Sequence, residues 1–141
     1  MDCAIVTPTD VYCFDTADEM NAFTSTAPAN PPDGPPTIFR GGACSGYTKI
    51  WNGANWTNRG FAFHDWGYPQ SLAPYYGGVF YVQSWFSDGQ RGYPASNCNG
   101  RLFSNSNGTG GWYGMPNHAE ARSMPPFGTR SIWLYQPGTW G

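Results

Sequence analysis

The sequence predicts a mainly β chain, a β-sandwich preceded by a small N-terminal hairpin and short helix, with disulfides tying the parts together. Three observations carry this. Short apolar runs recur between turn-forming residues, and the 19 Gly and 13 Pro among 141 residues suit tight turns between short strands rather than helices. Nine Phe, nine Tyr and seven Trp provide a core, since burying one large apolar side chain contributes roughly 1.5 to 3 kcal/mol. Four cysteines, Cys3, Cys13, Cys44 and Cys98, lack the C-x-x-C spacing of structural zinc and read as bridges.

The first element is a hairpin. Cys3 and Cys13 flank two short strands around Pro8-Thr9-Asp10, so the ends meet and a Cys3–Cys13 bridge is expected, leaving Cys44 for Cys98. Asp15-Thr16 then opens a helix of about two turns: Thr16 and Glu19 have capping-box spacing, and Ala17, Met20 and Phe23 share one face. Residues 24–36, with five prolines, form an extended strap. A boundary follows, giving an N-terminal unit of 1–36 and a β domain of 37–141. In the latter, strands are predicted at Thr37–Arg40, Tyr47–Trp51, Gly60–Phe63, Val79–Phe86, Arg101–Ser104, Gly111–Met115 and Ser131–Tyr135. Asn52-Gly53, Asn99-Gly100 and Asn107-Gly108 suit primed turns, and Gly77-Gly78, Asp88-Gly89 and Pro137-Gly138 punctuate the rest. Alternation along Val79–Phe86 sends Phe80, Val82, Ser84 and Phe86 to the core and Tyr81, Gln83 and Trp85 outward. In Ser131–Tyr135, Ile132 and Leu134 oppose Trp133 and Tyr135, and both faces are expected to be covered.

Charge narrows the function. Residues 1–33 hold six of the nine acids and no Lys or Arg, whereas the rest carries all seven bases and three acids. Those bases are scattered, so no groove for nucleic acid is expected. Disulfides imply an oxidising compartment, and the chain is expected to be secreted, a mature form without signal peptide and with a start methionine added. No apolar run reaches membrane-spanning length.

Two segments share an arrangement. Trp51, Trp56 and Asn58 begin one, Phe103, Gly108 and Gly110 the other, and a Ser follows each about thirty residues on, Ser84 and Ser131. This arrangement resembles the βγ-crystallin Greek key. There, two aromatics and a positive-φ Gly form a folded hairpin onto which a later Ser hydrogen-bonds; Asn58 stands here for Gly and Gly108 for an aromatic. The Cys-hairpin-Cys followed by Phe14-Asp15 and an acidic helix resembles secreted actinobacterial members of the group. The resemblance implies a Greek-key sandwich and relatives that bind calcium, inhibit secreted metalloproteinases or act as killer-toxin-like proteins. Calcium in that family is held by paired Asp/Asn residues where this chain has Val79-Phe80 and Phe127-Gly128, which offer no side-chain oxygen. No cofactor or metal is expected.

Catalytic candidates are sparse. His64-Asp65 are strand neighbours that point to opposite faces, His118 and Glu120 read as a solvated loop, and bridged cysteines leave no thiol nucleophile. The sequence is therefore read as a non-catalytic binding protein for an extracellular protein, such as a protease, with a lectin-like polysaccharide binder or a self-assembling structural protein as alternatives. Partner-binding candidates are Trp66, Tyr68, Tyr75 and Tyr76 in the aromatic loop 66–76, and Tyr81, Trp85 and Trp112 as outward rings on strands.

Overall fold

A computed structural model describes residues 1–25, 44, 46–87 and 96–136. The predicted strand Thr37–Arg40, strap residues 26–36, the turns at 88–89 and 137–138, and Trp140 lie outside the described residues. Mostly β structure holds: twelve strands and one short helix are described, in three sheets. No helix among the described residues is long and apolar enough to cross a membrane.

Strands β1 (Asp2–Thr7) and β2 (Asp10–Phe14) form the predicted hairpin, with Cys3 opposite Cys13 and bridged to it at a Cα separation of 4.0 Å. Cys44 is bridged to Cys98. Helix α1 spans Ala17–Thr24; the Thr16 hydroxyl accepts from the Glu19 N–H at 3.2 Å and donates to its carboxylate at 3.0 Å. This quiets an otherwise orphaned donor of the first turn. Met20 is fully buried, but Phe23 does not share its face into the core: it is exposed and packs beside Tyr12 and Phe14.

Two sheets enclose the main core. In the first, β3 (Thr48–Trp51) lies between β4 (Gly60–Phe63) and β7 (Ser84–Phe86), with β10 (Glu120–Ala121) beyond β7. The hairpin joins this sheet, since β1 runs parallel to β4. In the second, β12 (Ser131–Tyr135) lies between β5 (Pro69–Ser71) and β8 (Asn99–Phe103), and β9 (Trp112–Met115) forms the edge beyond β8. Strand β6 (Phe80–Val82) pairs with β11 (Phe127–Thr129). The inward rows are Ile50, Phe61, Phe63 and Trp85 from one sheet and Leu102, Met115, Ile132 and Leu134 from the other.

Several expectations change. Val79–Phe86 is not one strand; Gln83 leaves the ladder, its N–H bonded to the Trp51 carbonyl and its own carbonyl accepting from Met124, both at 2.9 Å. That break reverses the alternation, so Trp85 faces the core and Phe86 the opposite side. Asn99-Gly100 is not a turn but part of β8, where a Cβ on Gly100 would lie 2.9 Å from Leu134. Strands β5 and β10 arise in segments read as loops, and β11 where no strand was expected.

The two sheets repeat one plan. Strands β3, β4, β6, β7 and β10 correspond to β8, β9, β11, β12 and β5 in the same order of neighbours. The Ser84 hydroxyl donates to the Gly53 carbonyl at 2.6 Å and accepts from the Trp56 N–H at 3.0 Å; that of Ser131 donates to Asn105 at 2.5 Å and accepts from Gly108 at 3.0 Å. Positive φ recurs at matched positions, 56° and 70° at Trp56 and Asn58, 74° and 89° at Gly108 and Gly110.

Candidate functional site

The repeat makes the differences between the halves informative. On the first sheet, the side away from the main core holds Lys49, Trp51, Ala62 and Phe86, and the N-terminal unit seals it: Ala4, Val6 and Met20 pack there, beside Tyr47 from the segment that leads into β3. Lys49 is 1% exposed, donates to the Asn21 side chain at 2.9 Å and lies over the Phe86 ring at 5.2 Å. Hydrogen bonding and the ring offset the cost of burying its charge.

The same positions on the second sheet are Arg101, Phe103, Gly114 and Trp133, with Trp112 in the place of Gly60. No described element covers this side. Trp112 is 54% exposed, and Trp133 and Tyr135 are half-buried. The Arg101 guanidinium lies 4.1 Å from the Trp112 ring centre and 5.6 Å from that of Tyr135. Stacking holds the fork flat on the sheet and pre-orders it for a planar or anionic partner. A shallow open cleft of about 290 Å³ continues the surface past Asn99, Gly114, Met115, Pro116 and Tyr135. On the first sheet Tyr47 stands at the position of Asn99 and is buried.

The predicted candidates divide. Tyr81 (55% exposed) and Trp112 are outward as expected. Trp85 and Trp66 are 3% and 5% exposed and present no surface to a partner; Trp85 turned inward at the Gln83 break. The loop 66–76 is not a projecting arm. It contains β5, its Leu72 is fully buried, and Leu72 accepts from the Tyr75 and Tyr76 N–H groups at 2.9 Å. Tyr68 donates to the buried Asp65 carboxylate. Tyr75 and Tyr76 are half-buried against Phe61 and Phe80, and Arg59 lies over Tyr76. Burial pushes the Tyr75 phenol above its usual pKa. Trp51, Phe103, Ser84 and Ser131 are buried framework, whereas Trp56 is half-buried and Asn58 and Gly110 are exposed at their turn corners.

His64 is buried with Nδ1 3.0 Å from the Gly46 carbonyl oxygen, and Asp65 accepts from the Trp66 N–H. Glu120 is not in a loop but in β10, paired with Arg122 at 3.3 Å. Among the described residues, no three His, Cys, Asp or Glu side chains come together. Sequence reasoning missed Arg101, Trp133 and Tyr135 as a surface; the available signal was Arg101 two residues before Phe103 in the repeat, on that residue's side of the strand. Compared with protein-family models, curated proteins and solved structures, the chain matches none.

Proposed function

We propose that this chain is a secreted, non-catalytic, βγ-crystallin-like binding protein that engages another extracellular protein through Arg101, Trp112, Trp133 and Tyr135. One observation carries the reading: among the described residues nothing covers this side of the second sheet, where the matching side of the first is closed by the protein's own N-terminal unit. An aromatic surface around an ordered arginine has the composition of an interface centre. The family assignment draws support from the two Ser-bridged hairpins, and secretion from the two disulfides.

The test offers the oxidised protein to secreted proteases and insoluble polysaccharides side by side. Retention on a protein, lost in Trp112→Ala and Arg101→Ala but kept in Tyr81→Ala, is the expected result. Retention that survives both substitutions overturns the assignment. A lectin role is the second reading, favoured by the open Trp112 ring with its stacked arginine, a platform on which a sugar ring can lie. Glycan binding would quench Trp fluorescence and be nearly independent of salt, whereas an acidic protein partner would be released as salt rises.

A further inference from the structure

We infer that the partner adds a β-strand, parallel to β9, to the open edge of the second sheet. This deepens the reading above and rests on it.

The protein itself supplies the template. The Ser104 N–H bonds the Gly111 carbonyl just as the Asn52 N–H bonds that of Arg59, so β9 sits on β8 in the register of β4 on β3. Antiparallel ladders alternate bonded and non-bonded pairs. The N–H and C=O groups of Trp112 and Gly114 therefore point away from β8, as those of Gly60 and Ala62 point away from β3. In the first sheet this edge is taken: the Gly60 N–H donates to the Asp2 carboxylate at 3.1 Å, and Cys3, Ala4 and Ile5 stand beside Phe61, Ala62 and Phe63. The corresponding seats beside Tyr113, Gly114 and Met115 hold no described strand, and Trp112 and Gly114 are exposed.

The seat also defines its occupant. Position one of the incoming strand carries an acceptor such as Asp for the Trp112 N–H. Position three, beside Gly114, is small. Position five is apolar and enters the cleft of Asn99, Met115, Pro116 and Tyr135, as Val6 packs with Tyr47. Pro116 replaces His64, whose N–H bonds the Ile5 carbonyl at 3.2 Å. With no N–H to give, Pro116 ends the pairing there and fixes its length.

The probe is a disulfide-closed peptide with the sequence of residues 1–14, titrated into the oxidised full chain and followed by amide NMR. Binding with a Kd on the order of 1 mM is expected. Shifts should centre on Trp112–Met115, with slowed hydrogen exchange at the Trp112 and Gly114 amides and little change at Tyr113. Peptides with Asp2→Ala or Val6→Asp should bind several-fold more weakly. Gly114→Pro removes the outward N–H but also fixes φ and restrains Tyr113, so a weakening of about tenfold counts only where the exchange pattern of the parent chain shows the Gly114 amide protected by the peptide. No binding up to several millimolar, or shifts at Phe61–Phe63 from displacement of the chain's own strand, overturns the inference. If Trp112→Ala still abolishes retention of a protein partner in that case, the surface reading stands and strand addition alone fails.

Discussion

Removing the Ser84 hydroxyl is the sharpest probe of the folded hairpins. Ser84→Ala takes away a group that is 0% exposed and joins the Gly53 carbonyl to the Trp56 N–H. Each broken bond leaves a group without its partner, at about 1 to 1.5 kcal/mol per bond where water is restricted. Gly53 and Trp56 are half-buried, so water recovers part of the loss and a net cost of about 2 kcal/mol is expected. For a domain of this length that lowers Tm by about 6 to 8 °C. Ser131→Ala should cost less, about 1 to 1.5 kcal/mol, because Asn105 is exposed and can turn to solvent. Two separate hairpins should make the double variant additive. Calorimetry of the oxidised proteins measures all three. A shift under about 2 °C for Ser84→Ala would show that the hydroxyl is a bystander and that the hairpin is held by its backbone alone.

The turn corners give opposed predictions. Asn58 is at φ 70°, and Asn58→Gly should raise stability by about 0.5 kcal/mol in urea unfolding, relief of strain outweighing the added freedom of the unfolded chain. Gly110→Ala should lower it by more than 1 kcal/mol, since φ is 89° and the new Cβ would meet Ser104 Oγ at 2.3 Å. Gly60→Ala should cost about 3 kcal/mol, because its Cβ would lie 2.2 Å from the buried Trp51 ring; a melting curve like the parent's would refute that packing. Burial, aided by Asp10 and Tyr12, pushes the Tyr47 phenol up to about 12. The folded state therefore holds this proton after the unfolded chain releases it near pH 10, so stability falls as pH rises from about 10 to 12, by roughly 1.4 kcal/mol per unit. Tyr47→Phe should flatten that part of the stability profile, while an unchanged slope would assign it to other tyrosines.

Much of the β framework was legible because it depends on local signals. Thr16 and Glu19 announced the helix, and Trp51, Asn58, Phe103 and Gly110 marked the repeat before any strand was paired. What failed depended on partners distant in the chain. Nothing within Val79–Phe86 announces that Gln83 will leave its ladder to join Trp51 and Met124, yet that step alone turned Trp85 inward. Likewise β5 and β10 exist because β12 and β7 lie alongside them, and short polar segments carry little strand signal of their own. The open surface was hidden for the same reason: Trp133 and Tyr135 alternate with core residues as buried strands do, and they lie outward where no described residue takes the place of Met20 and Val6.

The parallel pairing of β1 with β4 also orders events in time. Cys3 meets Cys13 across a short local loop but reaches Phe61 only after a long stretch of chain has been made, and contacts so distant in sequence close slowly. The N-terminal hairpin can therefore be stapled as a ready-made piece before the sheet it completes exists. Cys44–Cys98 links residues on either side of β3, β4 and β7 and belongs to a later stage. One bridge prepares a part; the other secures the assembly.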